Sequence, residues 1–320
     1  MTELVTFKPR AMRDTLLQSI YELMLQDSEI FFVSADFGSP VIDKIRADKP
    51  DRFINVGIAE QNLINVSAGL ALEGFKVFAY AIAPFITMRC FEQIRVSLAL
   101  MSKVRPMNVN LIGVGAGYSY VVSGPTHQCY EDITLMRSMP NMRVLSLSDQ
   151  HLASMIPAYC MRDLGPKYLR LDAQVLPMIY QDIQVDLDQG FYTHKKGAQF
   201  CLVATGFMVH TALKVAEVLS KHHIEVGIVD LFNLTTFDTQ KFNKVLSGYK
   251  TIISMEEAFS KRGGLDAVMF NHIAHQNLDI NLINIGVEGD YRFEIGSREH
   301  IHEKVGIDFR AVVNKILAYQ

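Results

Sequence analysis

What this chain lacks narrows the field first. Its four cysteines, Cys90, Cys129, Cys160 and Cys201, are scattered without a C-x-x-C pair. That removes the usual zinc-ribbon and thiol-redox spacings and leaves reduced core thiols as the expectation. No uninterrupted apolar run approaches the roughly 20 residues that span a bilayer. The opening M-T-E-L-V-T-F-K-P-R lacks the basic-then-apolar order of a secretory leader, so a cytoplasmic protein with no membrane partner is expected. An excess of one charge is missing too: 31 Lys and Arg against 34 Asp and Glu leave a net charge of -3. With acids and bases interspersed there is no footprint for nucleic acid, and small-molecule chemistry or protein partners are favoured. Neither G-x-x-x-x-G-K nor G-x-S-x-G occurs, so triphosphate loops and hydrolase nucleophile elbows have no support. Gly113-Val-Gly-Ala-Gly-Tyr118 imitates a dinucleotide fingerprint, but Tyr118 stands at its sixth position and the stretch reads as an irregular loop. The pairs His272/His275 and His300/His302 have no third ligand at a recognisable spacing; they read as solvated surface histidines, and no metal site is expected on this chain.

What is present is a long α/β alternation. With 320 residues, 49% of them hydrophobic, the chain can bury about two domain cores. Compact apolar runs at Ile30–Val33, Arg52–Val56, Lys76–Ala81, Asn108–Ile112, Arg143–Leu147 and Lys167–Leu171 read as strands, separated by helical periodicity that includes one long helix from Phe85 to Ser102. Strands alternating with helices predict a parallel, doubly wound sheet. After a linker over 174–199, which carries Pro177 and several Asp and Gln, the alternation resumes. The fold class expected is therefore α/β, with two doubly wound domains over 1–173 and 200–320. Glu256-Glu257, ahead of Gly263-Gly264, reads as a strand end before a helix start, with a structural role.

Two stretches carry chemistry. From Asn55 to Gly74 a strand meets Gly57 and then a helix that starts with Glu60. An acid in a first helical turn is favoured by the macrodipole and needs no further role. Yet a strand-Gly-turn-helix passage also sets that carboxylate beyond the carboxyl end of a strand, where open α/β sheets bind ligands. The small face Ser67, Ala68, Gly69 and Ala71 suits close helix packing, of the kind found within a fold or across a subunit boundary. In Ser123-Gly-Pro-Thr-His-Gln128, Gly and Pro fix the backbone while Thr126, His127 and Gln128 present polar groups. His127 suits hydrogen bonding to a substrate oxygen, or proton exchange near neutral pH; a loop histidine bonded to its own backbone is the alternative.

Together these segments carry a resemblance. S-A-D (34–36), R-F-I-N-V-G-I-A-E-Q-N (52–62), F-I-T-M-R-C-F-E-Q-I-R (85–95), G-P-T-H-Q-C-Y-E-D (124–132) and R-S-M-P-N-M-R-V (137–144) resemble the pyrimidine-binding domain of transketolases and deoxyxylulose-phosphate synthases. A-T-G (204–206) and E-E…G-G (256–264) resemble their C-terminal domain. The resemblance implies thiamine diphosphate as cofactor. It implies that Glu60 bonds to N1′ of the aminopyrimidine and favours the imino tautomer, whose 4′ nitrogen deprotonates thiazolium C2; such a carboxyl is desolvated and shares a proton with a weak ring base. Ile58, Phe85 and Phe91 are implied to join Glu60 around the cofactor, and His127 to bond to the substrate's oxygens. Arg10 and Ser39 fall near positions that hold a sugar phosphate in transketolases, with Arg89 and Arg170 as further candidate charges.

Departures from the family pattern shape the expectation. Ser123 stands where transketolases have an Asp that contacts a sugar hydroxyl, and Ala173 stands where a phosphate-binding Arg is expected. Relatives also carry a preceding domain in which G-D-G and a later Asn hold Mg²⁺ and the diphosphate; here Gly289-Asp290-Tyr291 is the nearest approach. The resemblance thus implies the C-terminal subunit of a split transketolase-like enzyme. It would move a two-carbon ketol unit between sugar or sugar-phosphate substrates, as a heterotetramer with a diphosphate-binding N-terminal subunit around a homodimer core. Another thiamine-dependent half-enzyme, such as a deoxysugar synthase or a 2-oxo acid dehydrogenase of the E1 beta type, and a non-catalytic scaffold are the alternatives.

Overall fold

The computed structural model describes residues 10–180 and 183–319, so most of the arm ahead of the first helix and two linker residues lie outside it. The first sheet contains β1 (Ile30–Ser34), β2 (Phe53–Asn55), β3 (Lys76–Ile82), β4 (Val109–Val114), β5 (Arg143–Ser146) and β6 (Lys167–Leu171), all parallel, in the order β2-β1-β3-β4-β6-β5. Every residue of β4 and of β6 is buried, as expected of strands covered by helices on both faces. Those helices are α1 (Met12–Gln26), α2 (Pro40–Asp48), α3 (Glu60–Leu72), α4 (Phe91–Gln93), α5 (Asp132–Arg137) and α6 (Gln150–Arg162). Ser39 opens α2 as its N-cap, accepting from the Ile42 N–H, and Pro40 occupies the first helical position where no donor is missed.

The single long helix expected over Phe85–Ser102 is instead broken. A π turn, Phe85–Arg89, is followed by Cys90 at φ -117°, ψ 26°, then α4, a second π run Ile94–Leu100 and a 3-10 turn Met101–Lys103. Thr87 Oγ1 donates to the Ala83 carbonyl and the Cys90 thiol to that of Ile86. Side chains that bond back to carbonyls four residues earlier compete with the helical ladder, and apolar periodicity does not register this.

The second sheet has β7 (Tyr192–Lys195), β8 (Phe200–Ala204), β9 (Gly227–Asp230), β10 (Thr251–Phe259) and β11 (Asn281–Val287), ordered β11-β10-β8-β9-β7, with β7 antiparallel to β9. Around it lie α7 (Met208–Ser220), α8 (Thr239–Leu246), α9 (Leu265–His275), α10 (Arg298–Val305) and α11 (Phe309–Leu317). The linker over 174–199 is therefore not featureless: its end supplies β7, an edge strand of the second sheet. The two sheets share one apolar core, in which Val109 and Leu111 of the first join Cys201 and Val203 of the second, and a bridge joins Leu145 of β5 to Asn233, just past β9.

Charged groups also cross the seam. Arg170 bonds to Asp132 at 2.8 Å and to the Glu257 carbonyl at 2.9 Å. Arg298 bonds to Asp172 at 2.6 Å and to both oxygens of Glu257, which also accept from His302 and the Tyr118 N–H. Two of the four histidines expected at the surface are thus corrected. His302 is buried on Glu257, and His272 is buried between aromatic rings with Asn243 as its partner; His275 and His300 are exposed. Glu256 accepts the Leu265 and Asp266 N–H groups, so a strand carboxylate satisfies the orphan donors at the start of α9.

Candidate active site

The site is built where α3 begins. After β2 the chain turns at Gly57, whose φ of +74° few side-chain-bearing residues adopt, and Asn55 Oδ1 steadies the turn by accepting the Gly57 N–H at 3.0 Å. Asn55 also reaches Asp36, tying the ends of β1 and β2 together. This turn delivers Glu60 as the first residue of α3 with its side chain only 3% exposed. A carboxylate removed from water needs a partner. It finds Arg89, whose Nη1 lies 2.7 Å from Glu60 Oε2.

Arg89 comes from the π turn, and its guanidinium lies over the Phe85 ring, 4.4 Å from the centroid. On the helix backbone side, Gln61 Nε2 donates to the Arg89 carbonyl at 3.3 Å, fixing the turn against α3. Phe85 in turn meets the edge of His127, with centroids 5.3 Å apart, and Tyr120 meets the same imidazole at 6.4 Å. Gly115 makes room for Tyr120: it sits at φ +99°, and a Cβ there would lie 2.0 Å from the Tyr120 ring. His127 Nδ1 is 3.0 Å from Thr126 Oγ1, so the imidazole is oriented by its neighbour's hydroxyl and not by its own backbone. Glu60, Arg89, Phe85 and His127 therefore form one contiguous cluster drawn from three segments.

The remaining expected residues divide. Ile58, 77% exposed, lies two residues before Glu60 on the open approach. Phe91 is half-buried and packs against the core of the first domain, facing none of these rings. Ser123 is exposed at the end of the His127 loop. Arg10 is exposed, with its backbone N–H on the Gln150 side chain. Ser39 is buried as the α2 cap. Arg170 is buried and engaged by Asp132 and Glu257, so its charge is spent inside the fold and not offered to a substrate. Neither the Arg89 partnership nor Tyr120 was foreseen. The pattern Phe85…Arg89, an aromatic and a cation four apart, was the available signal for the stacked pair.

The cluster faces outward. Cavities of about 600 and 620 Å³ lie elsewhere, one lined by residues of α5 and the 259–262 and 287–291 segments, the other around Phe207, Lys214 and Arg298. Neither holds Glu60 or His127. Arg89, at 46% exposure, with Ile58 and the 73% exposed Val122, leaves the cluster at an open surface. The cysteines are inert: Cys90 is pushed up to about 12 by burial, with the nearby Glu60 charge adding to it.

Comparison with known proteins identifies the family. Residues 8–178 match the family model of the transketolase pyrimidine binding domain and residues 191–312 that of the transketolase C-terminal domain. One of the subunits of the apulose-4-phosphate transketolase of Actinobacillus succinogenes is 32% identical over 270 residues, covering 84% of this chain and 85% of that protein. The 6-deoxy-6-sulfo-D-fructose transketolase subunit of a Clostridium species is 28% identical over 310 residues, covering 94% of this chain and 92% of that protein. A solved structure described as a split gene transketolase, inactive beta4 tetramer, superposes with a TM-score of 0.84 at 28% identity, covering 97% of this chain and 98% of the other. This chain belongs to the transketolase family and is the C-terminal subunit of a transketolase-like, thiamine-diphosphate-dependent transferase.

Proposed function

We propose that this subunit moves a two-carbon ketol unit between sugar-like substrates, at a site completed by a separate subunit that holds the diphosphate and Mg²⁺. The observation that carries the reading is Glu60, a buried carboxylate whose partner is a planar N–H donor stacked on an aromatic ring. That donor set fits an aminopyrimidine, which likewise offers a polar edge and a flat face. Thiamine diphosphate, when bound, supplies a thiazolium carbon that accepts the two-carbon unit. Toward it, Glu60 would hold a proton at the ring's N1′ and Phe85 would pack against the ring, with Ile58 at the open approach. His127, oriented by Thr126, donates a hydrogen bond to a substrate oxygen or exchanges a proton with it.

The split arrangement has its own support. The Glu60 cluster opens onto exposed Ile58 and Val122, a surface suited to a second chain. Relatives named as subunits, and the inactive beta4 tetramer of one solved relative, support assembly of this chain with a separate partner subunit, which we read as a heterotetramer. The relatives' names include one phosphorylated and one sulfonated sugar. With Arg170 engaged inside the fold and Ser39 used as a cap, Arg10 and Arg89 are the remaining candidates for an anionic tail, and Ser123 and Ala173 favour a substrate gripped without the phosphate contacts usual in transketolases.

Calorimetric titration of thiamine diphosphate with Mg²⁺ tests the reading, first into the purified chain and then into the chain with its partner. Weak binding alone and tight binding with ketol transfer in the pair is the expected result. Transfer by the lone chain would refute the split site, and a pair that accepts pyruvate but no ketose would select a 2-oxo acid enzyme instead.

A further inference from the structure

We propose that Arg89 is a placeholder for the cofactor's aminopyrimidine: its guanidinium holds the Glu60 carboxylate and the Phe85 face until thiamine diphosphate displaces it. The inference rests on the reading of Glu60 as the cofactor-activating acid and adds an exchange that the reading does not contain.

Three observations converge. The guanidinium sits between the two surfaces that an aminopyrimidine needs, 2.7 Å from Glu60 Oε2 and 4.4 Å from the Phe85 centroid. A guanidinium and an aminopyrimidine protonated at N1′ are both flat, both delocalised, and both present an N–H to a carboxylate, so a site shaped for one accepts the other. Second, among the described residues Arg89 is the hydrogen-bond partner of the Glu60 side chain. Without it the free chain would bury a lone charge at 3% exposure, which is strongly unfavourable. Third, Arg89 is free to leave. It is 46% exposed, and it ends the π turn just before Cys90 departs from helical angles, so the side chain can swing into solvent without repacking the core. Arg298, the partner of the other buried glutamate of an ion pair, is 5% exposed and clamped by Asp172 as well; it has nowhere to go.

The exchange has a thermodynamic signature. If the placeholder conformation dominates, the cofactor binds only the minor, open fraction, and its apparent affinity is reduced by that fraction. Substituting Arg89 should therefore tighten cofactor binding, whereas losing an ordinary binding residue weakens it.

The test uses the chain assembled with its diphosphate-binding partner, titrated calorimetrically with thiamine diphosphate and Mg²⁺. Arg89→Met is expected to lower Kd about tenfold, the factor for a placeholder populated about 90% of the time. In a Glu60→Gln background the same substitution should change Kd by less than about twofold, because the lock is already open. Equal or weaker binding by Arg89→Met overturns the proposal and makes Arg89 a permanent counter-ion. Should Glu60 without its partner prevent folding, the wild-type complex answers alone: an arginine-directed dicarbonyl reagent, mapped by peptide mass, should modify Arg89 faster when the cofactor is bound. Unchanged or slower modification overturns the proposal. A wild-type complex that binds no thiamine diphosphate brings down the functional reading and this inference together, whereas cofactor binding without either Arg89 effect brings down this inference only.

Discussion

Each domain buries a glutamate against an arginine, and the surroundings of the two pairs are opposite. Glu257, in β10, has both oxygens saturated by Arg298, His302 and the Tyr118 N–H, and Arg298 is held in turn by Asp172 of the first domain. Burial by itself pushes the Glu257 carboxyl up, but Arg298 and His302 outweigh it and hold it well below the usual carboxylate range. Glu60 has one such partner, on a half-exposed arginine at an open surface. A buried charge whose every lone pair is answered from within the fold is a strut between domains. One answered by a single displaceable group is poised for something that arrives from outside.

The comparison breaks most visibly at the strut. Arg298→Met leaves Glu257 and Asp172 without their cation and should cost about 3–5 kcal/mol of folding free energy, read from chemical denaturation. A loss below about 1 kcal/mol would mean that the network is incidental to the domain seam. At Glu60 the expected pattern is reversed. Glu60→Gln should lower turnover of the assembled enzyme by about 10²-fold or more, as loss of a positioned proton-transfer group does, while the melting temperature stays within a few degrees because glutamine leaves no buried charge and the half-exposed Arg89 is solvated. Near-normal turnover would remove Glu60 from the chemistry. His127→Ala sharpens the same contrast on the substrate side, with kcat/KM down by roughly 10- to 100-fold and little change in melting; a large melting shift with intact kinetics would return His127 to the fold.

The smallest expected effect concerns a third buried acid at the seam. Asp230, at the end of β9, accepts from Ser148 and Tyr180, and its carboxyl is pushed up to about 7, chiefly by burial. Those hydrogen bonds pull it down and Asp149 pushes it up. Because the folded state holds this proton more tightly than the unfolded chain, its contribution to stability is fully present below the unfolded value near 4 and fades as pH rises through about 7. Asp230→Asn, which cannot titrate, should flatten the fall in stability between those limits. An unchanged slope would assign that fall to other groups, such as Glu256, which burial also pushes up to about 7.

Much of the architecture was legible from local pattern. Buried parallel strands read as continuous apolar runs, and β1, β3, β5 and β6 fall within a residue or so of where those runs predict them. Glu60 was placed at a helix start beyond a strand by Gly57 and the periodicity that follows. The failures share a cause as well. Tyr192–Lys195 looked like linker because β7 is a short edge strand, half-buried throughout and without the apolar run that marks a central strand. His302 looked like a surface residue because nothing near it in sequence reveals the acid 45 residues away that buries it. The broken helix after Phe85 shows the same limit, since its period is apolar enough for a straight helix and its side chains decide otherwise.

The sequence by itself determined which backbone conformations were open, through apolar period, turn glycines and helix caps, and with them the two α/β domains and the positions of Glu60 and His127 in their segments. Tertiary structure alone decided whom those groups meet: Arg89 lies 29 residues from Glu60, and Arg298 lies 41 from Glu257. The physical reason is that secondary structure is set by interactions within a few residues along the chain, whereas the partner of a buried charge is whichever side chain the packed fold brings within hydrogen-bond reach.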